Sequence, residues 1–418
     1  MRCARHIGRM HGNTVTRLPS AFARLAWSNL AAQSAEQIAL AATPIVAVVA
    51  FGAGAGETGI LQTAQTLPFV LFAIPAGVLA DRLSRRSVMA SAEALRVVSL
   101  VTILALAAFG LLTWPALALL GFVGACGTVA YSVATPSLVP SLVEPDALAS
   151  ANARVELART VAFAAGPAVA GALIGWIGGT PAFGLAAALS ACAVVLLSGV
   201  NEPPRAARPD RHPVQDIREG ARFLFRHPLL RPIFITQFIF NVALFVLLAV
   251  YVPYAVQHIG LSAAGVGLTL GAYGAGMVVG ALAADRIMRV LRFGAVVAIG
   301  PIAGFIASVV MALTIWMPSS LLAGLSFFIL GVGPIIWVIS TTTLRQSVTP
   351  RDLLGRVSAL GFVSYGARPI GAAIGATIGG LYGAEACLLV ACAGFLLQAA
   401  VHQESPVVRL KRQPEMAS

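Results

Sequence analysis

Long apolar blocks follow one another through this chain, parted by short segments that alternate between Arg-bearing and Arg-free. A hydrocarbon layer about 30 Å thick is crossed by roughly 20 apolar residues in helical conformation. The blocks fit that length. The first six lie at about 24–51, 58–80, 87–111, 115–139, 152–177 and 181–200, and the second six at about 230–256, 262–284, 294–315, 319–343, 356–380 and 382–401. An all-α membrane protein of 12 transmembrane helices is therefore expected. Apolar residues run in blocks and do not alternate, which argues against a β-barrel. With 58% apolar and 11% charged residues and a mean hydropathy of +0.87, most of the surface needs lipid as its solvent.

The Arg pattern orients the spans. The segments Phe51 to Glu57, Leu111 to Pro115, Ile177 to Pro181, Gln257 to Ser262, Trp316 to Ser319 and Gly380 to Glu385 contain no Arg or Lys. The intervening segments carry Arg82, Arg85, Arg86, Arg154, Arg286, Arg289, Arg292, Arg345, Arg351 and Arg356. By the positive-inside rule these segments and both termini are cytoplasmic. The net charge of +12 is carried by these clusters, which suits membrane orientation and not nucleic-acid binding. Of the five cysteines, four lie in apolar blocks and none forms a C-x-x-C pair, so they read as packing residues.

The chain divides into a basic cytoplasmic tail (1–23), a six-helix half (24–200), a cytoplasmic linker (201–229), a second six-helix half (230–402) and a second tail (403–418). In the linker Ile217, Ala221, Leu224 and Phe225 share one helical face and Arg218, Arg222 and Arg226 another, as in a surface-lying amphipathic helix. The halves echo each other. LADR from Leu79 recurs as AADR from Ala283, Pro145-Asp146 as Pro350-Arg351-Asp352, and GPAVAG from Gly166 as RPIGAA from Arg368. The spacing of about 200 residues is close to half the chain, which indicates a duplicated six-helix unit.

On GVLADRLSRR (Gly77 to Arg86), the SLVEPDALASANA stretch before span five, the REGARFLFRHPLLR linker and LGRVSAL at the start of span eleven, the sequence resembles the major facilitator superfamily. Within that superfamily it resembles the branch of enterobactin exporters and macrolide efflux pumps. The resemblance implies alternating access of two halves. It also implies a conformational latch at Gly77, Asp81, Arg82, Arg85 and Arg86, with Asp285 and Arg286 as the repeat. Gly77 is expected to permit close helix approach. Gly166, Pro167 and Gly171 resemble the Gly-Pro motif of superfamily antiporters, where small residues and a proline let span five pack tightly and bend. The Arg that superfamily drug antiporters carry in span four is absent here.

Ionisable residues inside spans are functional candidates, since a charge at helix centre costs about 2.5–3.5 kcal/mol even on the lenient insertion scale. Glu36 lies near mid-span, in a polar stripe with Asn29, Gln33 and Gln37. A proton or substrate role is expected there, and an interhelical hydrogen bond is the plainer alternative. Glu93 and Arg96, like Glu156 and Arg159, are spaced to form buried ion pairs. Arg368 lies about as deep as Glu36 without an acid in its own helix, so its partner is either Glu36 or an anionic group of the substrate. Asn241 and Trp337 are further cavity candidates.

These residues imply a secondary transporter that exports small amphipathic molecules, of drug or siderophore class, by proton antiport. The expected partners are a small-molecule substrate, protons and the lipid bilayer, with no nucleic acid and no cofactor, in a monomer of the bacterial inner membrane. A passive or importing carrier, or a lysolipid flippase, remains open. A membrane enzyme or sensor lacks support, because no nucleophile or metal-ligand cluster is present and the Gly-rich run GAYGAG falls inside a span. The orientation is tested by fusing alkaline phosphatase to the C-terminus. The fusion is expected to be inactive, and an active one removes the topology.

Overall fold

The computed structural model describes residues 19–144, 147–203, 213–350, 353–354, 356–357, 364–412 and 414. They form α1 (Ser20–Phe51), α2 (Ala55–Arg82), α3 (Arg85–Ala108), α4 (Trp114–Leu142), α5 (Leu148–Ile177), α6 (Gly179–Ser198), α7 (Pro213–Arg226), α8 (Leu230–Gln257), α9 (Ala263–Val290), α10 (Phe293–Leu313), α11 (Ser320–Val348), α12 (Ala367–Tyr382) and α13 (Ala384–Gln403), with short 3-10 turns at Ser364–Gly366 and Pro406–Arg409. Several starts are set by a local hydroxyl. Ser84, Thr113, Ser262 and Ser319 each accept the amide hydrogen three residues on.

Ten of these helices are long and apolar enough to cross a membrane: all except α2, α7 and α12. The 28 residues of α2 include the polar run of Gln62, Thr63, Gln65 and Thr66. The described part of α12 is 16 residues, because residues 358–363 of the expected span lie outside the described ones.

The helices pack as two sets. Helix α1 lies on α5 and α6, α2 on α4, and α3 on α4 and α6, while α8 lies on α12 and α13, α9 on α11, and α10 on α11 and α13. The sets meet where α5 crosses α9 and where α2 meets α8 and α12. In both seams the glycine contacts lie between mid-helix and the Arg-free segments. A Cβ added at Gly171 of α5 would stand 2.7 Å from the Cα of Gly267 on α9, and one at Gly267 would stand 2.8 Å from the Cα of Gly171. At the other seam a Cβ on Gly56 would stand 3.2 Å from the Cα of Gly380. Lipid supplies no hydrophobic drive between helices, so such backbone-to-backbone contact is what holds them.

The segment that follows the last helix of each set satisfies the start of that set's third helix. After α6, Glu202 accepts from the Ser84 hydroxyl at 2.7 Å and from the amides of Arg86 at 3.1 Å and Arg85 at 3.3 Å. After α13, the Leu410 carbonyl accepts from the amide of Gly294 at 2.9 Å. The described part of the expected 403–418 tail is therefore docked on α10, with Val407 fully buried. In α7, Leu224 packs on Leu230 and Val357, and Glu219 pairs with Arg356 at 2.6 Å. Phe225 is 47% exposed and lies edge-on to Phe234, with ring centres 5.3 Å apart, while the side chain of Ile217 lies outside the described residues.

Burial would push the Glu202 carboxyl up, but its hydrogen bonds from Ser84 and the two amides, with the nearby Arg85 charge, hold it below its ordinary value of 4.5. A carboxyl held low stabilises the fold above its unfolded pKa, and that contribution fades as the pH falls through the folded one. Glu202→Ala is expected to lose about 1 kcal/mol at neutral pH, the usual worth of an N-terminal cap. The deficit should narrow towards pH 4. Thermal unfolding in detergent across pH reads this out, and a deficit constant with pH would mean that the cap's charge is irrelevant.

Candidate functional site

Glu36 lies halfway along the 32-residue α1 and opens on a cavity of roughly 370 Å³ between the two helix sets. Its carboxylate is 3.6 Å from Nη2 of Arg96, which α3 directs into the same space. Arg96 is a junction. Its Nη1 donates to Glu93 at 2.6 Å and to the Ala32 carbonyl at 3.2 Å, and its Nη2 donates to the Thr128 hydroxyl at 2.7 Å. Glu93, fully buried, accepts in turn from Ser190 at 2.8 Å. One guanidinium thus ties α1, α3, α4 and α6. The expected isolated pair of Glu93 and Arg96 is instead a network that reaches the cavity through Glu36, because α1 and α3 face each other across it.

Arg368 enters from α12. Its partner is Asn241 of α8, whose Oδ1 accepts from Nε at 3.3 Å, and its guanidinium lies 4.0 Å from the ring centre of Tyr365, 5.3 Å from Phe245 and 5.7 Å from Phe69. Asn241 is held in that orientation, since its amide nitrogen donates to the Gln237 carbonyl at 2.9 Å. Of the two expected partners for Arg368, Glu36 stands in ion-pair range of Arg96 and makes no direct contact with Arg368. A cation over an aromatic face gains about 0.5–2 kcal/mol, against several kcal/mol for taking an ion out of water. The rings position Arg368 without neutralising it.

The other expected residues separate. Gln37 is buried and lines the cavity, as do Asn241, Pro167 and Trp337. Gln33 is half-buried and is not part of the lining, and Asn29 turns away to donate to the Val155 carbonyl of α5. Trp337 is 2% exposed, packs on Phe240 and has no acceptor for its indole N–H. Arg159 and Glu156 pair at 2.5 Å, but at 39% and 57% exposure they are not buried, and Arg159 faces the cavity. A Cβ on Gly166 would meet that of Gln37 at 2.5 Å, so glycine is needed where α5 crosses α1. Gly77 is corrected. A Cβ there would meet only Val133, at an ordinary 3.9 Å. Arg82, Asp285 and Arg286 are exposed and Arg85 is buried, while the side chain of Asp81 lies outside the described residues. Residues 145–146 and 351–352 of the repeat are outside them too.

The aromatic surround of Arg368 was not foreseen. Only Tyr365, three residues before Arg368, leaves a readable signal, and Phe69 and Phe245 come from distant helices. A smaller cavity of roughly 220 Å³ beside α8 and α11 shares Gln237, Trp337, Val338 and Tyr365 with the central one, so the two adjoin.

A polytopic helical bundle with a largely apolar chamber between two helix sets, into which a few charged and polar side chains project, has the architecture of a membrane carrier. The Major Facilitator Superfamily profile matches residues 25–376, and the chain belongs to that family. It is therefore a membrane transporter of small molecules and not an enzyme. It is 33% identical over 258 residues to an uncharacterized MFS-type transporter, y4rN, of Sinorhizobium fredii, covering 58% of this chain and 60% of that protein. It is 29% identical over 293 residues to the enterobactin exporter EntS of Citrobacter koseri, covering 68% of this chain and 67% of that one. In fold it is similar to the nucleoside transporter NupG, with a TM-score of 0.74 at 13% identity over 92% of this chain and 98% of that one. It is likewise similar to a bacterial homologue of the iron transporter ferroportin in the inward-facing state, with a TM-score of 0.72 at 16% identity over 92% and 98%.

Removing one partner of a buried ion pair costs about 3–5 kcal/mol, because the other charge is stranded. Arg96→Ala is expected to lose that much in thermal unfolding, and Glu93→Gln added to it should recover part of the loss. An Arg96→Ala protein as stable as wild type would show that the junction holds nothing together.

Proposed function

We propose that the protein is a secondary active exporter of small amphipathic molecules, of the drug or siderophore class, working by alternating access and proton antiport. In this reading it acts as a monomer in a bacterial inner membrane, with twelve spans, six per half, and with α7 and both termini in the cytoplasm. The observation that carries it is Glu36: a carboxyl at mid-helix, 17% exposed and held at 3.6 Å by Arg96, opens on a chamber to which both helix sets contribute. Kinship with enterobactin exporters supports the direction. The glycine contacts of both seams lie between mid-helix and the Arg-free ends, which with the positive-inside rule supports a chamber that faces the cytoplasm, as in a carrier waiting for cargo.

Proton release inside and capture outside would run Glu36 through its two charge states, and each charge crossing 100 mV supplies about 2.3 kcal/mol. Asp81, Arg82, Arg85 and Arg86, with Asp285 and Arg286, serve as the latch of the other state. Glu36→Gln keeps shape and hydrogen bonding but does not titrate. Uptake of iron-free enterobactin into inverted vesicles, with and without an imposed pH gradient, is expected to lose its gradient-driven part in this variant and to keep downhill exchange. Full gradient-driven uptake by Glu36→Gln would move the proton site elsewhere.

A further inference from the structure

Of the three arginines that line the central cavity, Arg368 is the one without a carboxylate in ion-pair distance among the described residues. Glu36 faces Arg96, Arg96 is neutralised by Glu93, and Arg159 is held by Glu156. Arg368 has a neutral amide oxygen at Nε and three aromatic faces around it, and among the described residues no carboxylate stands within ion-pair distance. Its two Nη groups, a planar fork of donors, have no acceptor among those residues. Trp337 lines the same chamber with its ring, while its indole N–H is buried behind that surface. Asn241 cannot turn its amide to compete, because its nitrogen is spent on Gln237.

We propose that this cavity selects organic anions, in which a carboxylate or ionised phenol on a flat apolar body places its oxygens on the free fork of Arg368. A guanidinium fork matches a carboxylate in two parallel hydrogen bonds, which a lone N–H or an ammonium does not reproduce. The body of the cargo lies along the aromatic wall of Phe69, Phe245, Phe240 and Trp337. Cations are disfavoured beside Arg368, because among the described residues no carboxylate stands within ion-pair distance of its fork. The assignment rests on reading the cavity as the cargo site and is independent of its proton coupling. An anion leaving a cell that is negative inside moves down the membrane potential, so export of such a cargo does not require Glu36.

The test uses the full-length protein in phosphatidylcholine nanodiscs, with empty discs as blank, and equilibrium dialysis of three probes that share one body: 2-naphthoate, 2-naphthamide and 2-naphthylmethylammonium. Naphthoate is expected to bind about tenfold more tightly than the amide, and the ammonium more weakly than either. Arg368→Gln should bring naphthoate down to the affinity of the amide. Arg368→Lys should keep the preference for the anion at reduced strength. Arg292→Gln, an exposed arginine outside the cavity, should change nothing. Equal binding of naphthoate and naphthamide by wild type overturns the proposal whether or not Arg368→Gln folds, as does an anion preference that survives in that variant. Competition by benzoate assigns the anion to the aqueous phase and competition by lysophosphatidylglycerol alone assigns it to the bilayer; competition by neither counts against an anion site. Selective naphthoate binding with no vesicle transport would remove the carrier reading and leave this one standing. Equal transport of amide and anion would do the reverse.

Discussion

Everything in the first helix set is arranged around the burial of the Arg96 charge. A guanidinium inside an apolar bundle persists only when its charge is met and its donors are used. Glu93, Glu36, Thr128 and the Ala32 carbonyl meet those demands from three helices, and Ser190 extends the network to a fourth. The requirement fixes the rotation of α1, α3, α4 and α6 about their axes. It also brings Glu36 to the cavity wall as a carboxyl in loose contact with a cation that is shared with another acid.

The second set follows a different rule. Its deep cation, Arg368, is held in place by rings and an amide but is not neutralised. The two sets therefore bring unequal electrostatics to one chamber, two acids sharing one arginine on one wall and, on the other, an arginine with no ion-pair partner among the described residues. They touch through glycines, which let backbones meet with few side chains to unlock. A joint of that kind suits two bodies that must part and re-form, while the Arg96 junction keeps one of them rigid.

Much of the architecture was legible in the sequence because it depends on local quantities. Apolar block length marked ten helices long and apolar enough to cross a membrane, and the recurrence of LADR as AADR pointed to two similar helix sets. Glu36 stood out because an acid in mid-span is costly wherever it faces. The chemistry of pairs was not legible. Glu93 and Arg96 are three residues apart and their contact could be read, but Glu36 meets Arg96 from a helix 60 residues away, and Asn241 meets Arg368 across 127. Glu202 had no signal at all, since its role depends on the end of α6 lying beside the start of α3.

The sequence by itself determined that this is a helical membrane carrier with two related halves, because hydropathy and charge placement act one segment at a time. The tertiary structure alone decided which acid answers which cation, that Arg368 is left over, and that Gln33 turns from the cavity while Gln37 lines it. The physical reason lies in the helices themselves. Most of them are apolar all round, since lipid and protein interior ask for the same surface, so few spans carry a polar stripe that states which face points inward. That rotation is set only when several buried charges are satisfied at once.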